Sequence, residues 1–204
     1  MKKIQTIAII TGDIMNSRGA NPELWMKSLK AALSEFGAEP SDWEIYRGDS
    51  FQLEVPASKA LEASIFIKAA IKQIPQLDVK MAIGIGEKSY TANKISQSNG
   101  SAFVNSGECF ESLKRANLAV RSIWPDFDEQ INIMISLALI TMDAWSSVSA
   151  TMFQYMLKHP NRSQTEVANQ LSMSQSNVSQ GLKRSGFVEI SMVLNFYKKQ
   201  FSNE

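Results

Sequence analysis

The alternation of apolar and polar residues divides the chain into a first part with strands and helices and a last part with helices alone. Short apolar runs predict four strands, at residues 4–10, 43–46, 51–55 and 79–86. Apolar residues at helical spacing predict one helix from Pro22 to about Glu35 and another that Ser58 caps. The resulting order, β-α-β-β-α-β, predicts an α/β (α+β) fold of the ferredoxin-like sandwich type.

Beyond the fourth strand the pattern predicts helices joined by polar connections. We expect a polar loop after Gly86, a helix over residues 100–118, a break at Trp124-Pro125, and a long apolar helix from 129 to about 145 capped by Asp128. Four shorter helices follow, at residues 149–159, 163–171, 174–184 and 188–201. The predicted organisation is a ferredoxin-like domain over 1–125, a connecting helix over 126–147 and an all-helical domain over 148–204.

Composition excludes several classes of function. The chain has 204 residues, a single cysteine (Cys109) and a single histidine (His159), which leaves no zinc cluster and no Cys-His nucleophile pair. A lone cysteine is typical of a reducing cytoplasm. No apolar run has transmembrane length, and the first one is too short for a signal peptide, so we expect a cytoplasmic protein without a membrane partner.

Two aspartates follow glycines beside predicted strands. Asp13 follows Gly12 after the first strand, and Asp49 follows Gly48 at the corner between the second and third strands. Glycine allows a sharp turn or a close approach where each carboxylate is presented. If the two carboxylates converge, they form a site for a hard cation such as Mg²⁺ together with phosphate oxygens. The alternative is that both stretches are ordinary turns.

These motifs resemble the catalytic domain of class III nucleotide cyclases. The resemblance is carried by the order of elements and by Gly12-Asp13-Ile14, Gly48-Asp49 and Gly84-Ile85-Gly86. It implies that Asp13 and Asp49 bind metal ions that hold a nucleotide, with the Ile14 carbonyl as a lesser ligand. Arg47 and Asn105 are further ligand-binding candidates, and Asn105 falls near the position of a ribose-binding Asn in that family.

The whole chain also resembles the SatD family of small bacterial proteins. The motifs that carry this resemblance are Ile-Thr-Gly-Asp-Ile from residue 10, Tyr-Arg-Gly-Asp-Ser-Phe from 46, Ala-Ile-Gly-Ile-Gly-Glu from 82 and Ser-Gly-Glu-Cys-Phe-Glu-Ser-Leu-Lys from 106. Membership would imply little specific chemistry.

The departures from the cyclase pattern count against an active enzyme. The family carries an Arg four residues after the ribose-binding Asn, and that place is taken by Cys109. The base-reading Lys before the second Gly-Asp is also missing, since Ile45 or Tyr46 stands there. A fixed cation at the transferring phosphoryl group is commonly worth ~10³-fold in rate. We therefore expect no catalytic residue, and ligand binding rather than turnover.

The C-terminal part contains the strongest local signal, which resembles a helix-turn-helix. Ser163 and Glu166 have capping-box spacing at the start of one helix, and a short turn leads to a second helix. Residues on the exposed side of that second helix are predicted to bind DNA: Ser174, Gln175, Ser176, Asn177, Ser179, Gln180, Lys183 and Arg184. From Val148 onward there are six basic and three acidic residues, against 15 and 17 before it, which favours DNA contact by this end.

Three functions compete on this pattern. The leading hypothesis is a cytoplasmic, homodimeric, DNA-binding transcriptional regulator whose cyclase-like domain binds a metal and a nucleotide. The second is a nucleotidyl cyclase or other phosphoryl-transfer enzyme with a regulatory helix-turn-helix. The third is a protein-interaction adaptor in which both sites are vestigial. The missing Arg disfavours the enzyme, and the polar, basic face of the 174–184 helix disfavours the adaptor.

Overall fold

The computed structural model describes residues 6–201, in which one open sheet is covered by helices. Within this range there are five strands and eight α-helices. The strands are β1 (Ile7–Met15), β2 (Trp43–Tyr46), β3 (Ser50–Pro56), β4 (Asp78–Gly86) and β5 (Leu118–Arg121). The helices are α1 (Pro22–Ser34), α2 (Ala60–Lys72), α3 (Ser101–Ser112), α4 (Pro125–Met142), α5 (Ser147–Lys158), α6 (Gln164–Gln170), α7 (Gln175–Ser185) and α8 (Phe187–Gln200).

The sheet has the strand order β2-β3-β1-β4-β5. Strand β1 lies at its centre and pairs antiparallel with both β3 and β4, while β5 adds to the outer side of β4 in parallel. The strands predicted to carry the two Gly-Asp motifs are therefore neighbours. Strand pairing brings Asp13 opposite Ser50, one residue after Asp49.

Successive residues of β1 point to opposite faces of the sheet, and each face has its own cover. Ala8 and Ile10 belong to the large core shared with α1 and α2, whereas Ile7 and Ile9 pack with Ala102 of α3. Helix α3 comes so close to β4 that a Cβ at Gly84 would overlap its backbone. Glycine is required at that position because only its backbone leaves room for the helix.

Helices α4, α5 and α8 pack against the sheet-bearing part rather than standing apart from it. The large core includes Phe127 of α4, Phe153 of α5 and Tyr197 of α8, and the Tyr197 hydroxyl donates a hydrogen bond of 3.0 Å to the carbonyl oxygen of Ala57. A smaller core joins α5, α6 and α7. The hydrophobic core thus continues across the boundaries proposed at residues 125 and 147, and the division into domains stays a prediction.

A buried lysine connects three of these elements. The Lys68 ammonium in α2 is fully buried and lies 2.6 Å from an Asp78 carboxylate oxygen at the start of β4 and 2.7 Å from one of Asp143, just after α4. Burying a charge without partners is very costly, so these two carboxylates are required by the position of the lysine. We call Lys68, Asp78 and Asp143 the Lys68 cluster.

The first strand differs from its prediction at both ends. Residues 4 and 5 lie outside the described residues, and β1 continues to Met15 instead of ending before Gly12. The Gly12-Asp13 pair is therefore part of the strand rather than a corner, because both of its neighbours supply hydrogen-bonding partners along this stretch. Asp13 is presented from the sheet surface.

The region between residues 100 and 129 was also predicted incompletely. Helix α3 ends at Ser112, and the short strand β5 was not predicted. Helix α4 begins at Pro125, so Asp128 does not cap it. The carboxylate of Asp128 instead accepts hydrogen bonds of 2.7 Å from the backbone amide and the hydroxyl of Ser122.

None of the helices described between residues 6 and 201 is long and apolar enough to cross a membrane.

We predict that Lys68→Ala lowers the free energy of unfolding by about 2–5 kcal/mol, because it leaves a cavity in place of a fully buried side chain and leaves the Asp78 carboxylate with Lys72, 3.6 Å away, as its remaining cation. The matched control is Lys30→Ala, which removes a half-exposed lysine 3.8 Å from Glu39 and should cost less than about 1 kcal/mol. Urea unfolding of both variants measures the difference. Equal losses of stability in the two variants would contradict a structural role for the Lys68 cluster.

Candidate functional site

The two predicted carboxylates lie together at one end of the sheet. The hydroxyl of Ser50 donates a 2.8 Å hydrogen bond to Asp13 Oδ1, and the backbone amide of Ile14 donates one of 3.2 Å to the carbonyl oxygen of Asp49. Asp49 is the last residue of the turn between β2 and β3. The sheet register, together with this turn, therefore brings the two acidic groups next to each other.

Local sequence explains how the turn and the strand approach so closely. Arg47 and Gly48 have φ angles of 53° and 95°, in the left-handed region that glycine adopts without strain. Opposite the turn, a Cβ at Gly12 would overlap the ring of Phe51 on the neighbouring strand. The two glycines therefore act differently, Gly48 by its backbone angles and Gly12 by leaving room for an aromatic ring.

An open cleft of about 640 Å³ adjoins the two carboxylates. Its lining residues come from β1 and the loop after it, the β2–β3 turn and the loop before β4: Asp13, Ile14, Met15, Asn16, Ser17, Arg18, Gly19, Asp49 and Gln76. The Ser17 hydroxyl donates a 2.6 Å hydrogen bond to Asp49 Oδ2. The cleft thus places two carboxylates, one arginine and a hydroxyl around one space.

The electrostatics of the cleft are those of two crowded carboxylates. Burial raises the pKa of Asp13, the hydrogen bond from Ser50 lowers it, and the neighbouring Asp49 raises it again, with a net upward shift. A neighbouring negative charge thus disfavours the ionised form of Asp13. A bound cation would relieve that repulsion.

The residues present fit a divalent cation held jointly with a ligand. Asp13 and Asp49 supply two carboxylates, and Ile14 lines the cleft although its side chain is buried. Within residues 6–201, no group of three or more His, Cys, Asp or Glu side chains is arranged to hold a metal. Mg²⁺ commonly keeps several waters and binds one or two carboxylates plus substrate phosphates. The donor set therefore suits a cation that arrives with phosphate oxygens.

Sequence reasoning missed Lys80 and the serines Ser17 and Ser50. Lys80 lies opposite Asp13 across the β1–β4 pair, and its charge lowers the pKa of Asp13. Its ammonium donates a 2.7 Å hydrogen bond to the carbonyl oxygen of Leu113 and lies 5.3 Å from the centroid of the Phe110 ring. The serines stand close to the motifs in sequence, whereas only the strand register reveals Lys80.

Three residues of the cyclase comparison lie elsewhere. Neither Arg47 nor Asn105 lines the cleft, and the amide of Asn105 donates a 2.8 Å hydrogen bond to the carbonyl oxygen of Ile85. Arg47 is exposed on the β2–β3 turn. Cys109, in the place of the family's Arg, is packed between α3 and the sheet, and burial raises the pKa of its thiol to about 11. This position supports the core and contributes nothing to the cleft.

The helices α6 and α7 form a second candidate site. Ser163 and Glu166 make the expected capping box at the start of α6, and the Ser174 hydroxyl accepts a 3.2 Å hydrogen bond from the Asn177 amide at the start of α7. Between the helices the Met173 amide donates a 2.9 Å hydrogen bond to the carbonyl oxygen of Ala168. Both helices therefore have well-defined starts and a tight connection.

One side of α7 is buried and the other is open. Val178 and Leu182 pack into the small core with α5 and α6. The opposite side is polar, and its residues Ser174, Gln175, Ser176, Asn177, Gln180, Lys183 and Arg184 are exposed, with Ser179 half-buried. The Gln175 amide donates a 2.9 Å hydrogen bond to the side chain of Gln164 in α6.

Comparison of the chain with protein-family models, with curated proteins and with solved structures gave no match. The resemblances to the SatD family, to class III cyclases and to helix-turn-helix proteins therefore stay predictions from sequence motifs.

We predict that Asp13→Asn raises stability at neutral pH in metal-free buffer, because it keeps the acceptor for Ser50 and removes a crowded charge. The pKa of Asp13 is raised in the folded state above its ordinary value of 3.8, so the folded state binds this proton more tightly than the unfolded state. Wild type therefore loses stability as the pH rises from 3.8 through the raised pKa. The advantage of the variant should therefore grow as the pH rises through that window, as measured by urea unfolding. The exposed control Glu87→Gln should show no such growth, and an advantage that shrinks with rising pH would contradict this electrostatic interpretation.

Proposed function

We propose that the protein is a cytoplasmic DNA-binding transcriptional regulator whose N-terminal part binds a divalent metal and a nucleotide or related phosphate ligand. The observation that carries this proposal is the exposed, polar and basic side of α7, next to a fully capped α6. A helix of this kind fits the major groove of DNA, with its N-terminal residues directed at base edges.

The chemistry of that side of α7 matches DNA. Asn177 and Gln180 carry amides that can bind adenine edges with two hydrogen bonds, and Lys183 and Arg184 can neutralise phosphates. Within residues 6–201 these four side chains make no hydrogen bond or ion pair, so all remain available to a partner.

The ligand part of the proposal is supported by the strand order and by the cleft. The order β2-β3-β1-β4 with two helical crossovers is consistent with a ferredoxin-like, cyclase-like arrangement extended by β5. Asp13 and Asp49 suit a divalent cation, and the guanidinium of Arg18, which also lines the cleft, suits a phosphate. When bound, a cation would bridge phosphate oxygens, and the role of the protein would be to orient them.

The position of the Lys68 cluster between the two candidate sites supports assigning both to one regulator. Asn16 of the cleft donates a 3.1 Å hydrogen bond to the carbonyl oxygen of Gln76, two residues before Asp78 of the Lys68 cluster. On the far side of that cluster, Trp145 Nε1 donates a 2.9 Å hydrogen bond to the carbonyl oxygen of Ser185, the last residue of α7. The cleft and α7 are thus each hydrogen-bonded to a residue that lies two positions along the chain from a carboxylate of the Lys68 cluster.

A phosphoryl-transfer enzyme is the second candidate, and Lys80 is the observation that favours it. Lys80 lies opposite Asp13 in the β1–β4 pair, and its charge lowers the pKa of that carboxyl. Its ammonium is held by the Leu113 carbonyl oxygen outside the cleft lining, so this candidate requires the side chain to turn toward the ligand. Release of pyrophosphate from ATP or GTP in the presence of Mg²⁺, abolished in Lys80→Met, would support this candidate over pure ligand binding.

We predict that Lys183→Ala and Arg184→Ala each weaken binding to every DNA sequence. Each should also reduce the slope of log K against log salt concentration by about one, because each removes one phosphate contact. Substituting Asn177 or Gln180 with Ala should instead relax discrimination between sites, at about 1–3 kcal/mol for each bidentate pair of hydrogen bonds to a base. Mobility-shift titrations of the DNA upstream of the coding region measure both effects. Lys27→Ala, an exposed lysine on α1, is the charge-matched control.

Two results would overturn the DNA proposal. One is a protein that produces no salt-sensitive shift on any DNA. The other is binding that responds to Lys27→Ala as strongly as to the α7 substitutions. Either result would favour the adaptor function.

We predict that Mg²⁺ with a nucleoside triphosphate raises the melting temperature of the wild type, and that Asp13→Asn and Asp49→Asn each abolish the rise. Ligand at 100 times its Kd stabilises by about 2.7 kcal/mol, or roughly 5–10 °C for a chain of this size. Since the cation requires ionised carboxylates and the pKa of Asp13 is raised, the rise should be larger at neutral than at mildly acidic pH. A rise that survives both substitutions would place the ligand elsewhere, and Glu87→Gln serves as control.

A further inference from the structure

Helices α4 and α8 form an antiparallel pair on the outside of the molecule. At one end the ring of Phe127 lies 5.9 Å from those of Tyr197 and Phe201, measured between centroids. At the other end, Thr141 is the nearest neighbour of Gly186. The inner sides of both helices belong to the same large core. Their outer sides therefore face solvent next to each other.

Each outer side carries a stripe of large apolar residues at helical spacing. The stripes consist of Ile133, Leu137 and Ile140 on α4 and of Val188, Met192 and Phe196 on α8, with exposed fractions between 37% and 73%. Residues three or four apart lie on one face of a helix, so each set is continuous. Single exposed apolar residues are ordinary, but six on two adjacent helices mark an interaction surface. We call these six residues the α4–α8 face.

We propose that the α4–α8 face is a homodimer interface, in which α4 of one copy packs against α8 of the other. The size of the face supports a second copy of the chain as its occupant. An 18-residue helix is about 27 Å long, and two helices side by side are about 20 Å wide. Since α8 has 14 residues, the outline is roughly 500 Å² in projection, and the accessible area of the protruding side chains exceeds that projection. The face is therefore near the lower end of the about 600–1,000 Å² that each partner buries in a specific interface.

The distribution of charge also fits a second copy. The sequence of α4 from Ile131 to Met142 contains no charged residue, as expected for the centre of an interface. Exposed acidic residues Asp126 and Glu129 stand at the start of α4, and exposed Lys199 stands at the end of α8. Both ends lie on the same side of the face because the helices are antiparallel. A two-fold axis parallel to the helices would therefore bring Glu129 of one copy to Lys199 of the other.

This inference does not rest on DNA binding or on the ligand cleft. The dimer would nevertheless affect DNA binding, because Gly186 is the single residue between α7 and α8. A dimer formed along α8 therefore carries two α7 helices related by a two-fold axis, which is the symmetry of paired half-sites in DNA.

Sedimentation equilibrium of the full-length chain tests the interface. We expect wild type to be a dimer, and the double variant Leu137→Glu, Met192→Glu to raise the dimer dissociation constant by about 100-fold or more. The control Leu24→Glu places the same charge on an apolar side chain of α1 that is 59% exposed, and it should stay dimeric. Circular dichroism and thermal unfolding of each variant establish that it is folded.

A charge exchange tests the arrangement of the helices within the dimer. Glu129→Lys and Lys199→Glu should each weaken the dimer about threefold to tenfold at low salt, and the double variant should recover the wild-type constant. A monomeric wild type, or a dimer that survives the stripe substitutions, would overturn the proposal. Failure of the double variant to recover would overturn the α4-to-α8 arrangement.

Discussion

The buried ammonium group of Lys68 is the constraint on which the arrangement of the helices around the sheet depends. A charge at that depth requires carboxylate partners, and they come from the start of β4 and from the residue after α4. The end of α4 is therefore held to the sheet at one position, which sets where α5 begins and how α8 packs beside α4. The apolar side of α4 packs into the same core, so the ion cluster adds a directional contact to the hydrophobic one.

The same region of the molecule lies next to the candidate ligand cleft. The loop that leads into β4 contributes Gln76 to the cleft, and β4 begins with Asp78 of the Lys68 cluster. Both Asn16 and Gln76 have positive φ angles, 63° and 69°, so the loops that frame the cleft are held in uncommon backbone conformations. Residues in such conformations occur preferentially at active sites and ligand-binding sites.

The candidate functions place different demands on this structure. A regulator requires both an exposed α7 surface and a ligand site that communicates with it, and the Trp145–Ser185 hydrogen bond joins the end of α7 to the residues beside the Lys68 cluster. An enzyme requires a fixed cation at the transferring group, and Lys80, opposite Asp13 on the neighbouring strand, would have to leave the Leu113 carbonyl oxygen to provide it. A protein-interaction adaptor requires neither a ligand site nor a fixed cation, and it does not explain the polar side chains that α7 exposes.

Local patterns in the sequence determined strands β1 to β4, the capping box of Ser163 and Glu166, and the exposed side of α7, because each depends on residues within one turn or one strand. Only the tertiary structure decided that Asp13, Ser50 and Lys80 form one row, since strand register arises from hydrogen bonds between distant segments. It also decided β5, because the four residues Leu118–Arg121 have no alternation that separates a strand from the end of the predicted helix before them. The sequence of α4 also indicated its buried side, since Ile131, Ile135 and Leu139 recur at helical spacing and are buried. Only the tertiary structure decided what covers that side, because α8 comes from a distant part of the chain.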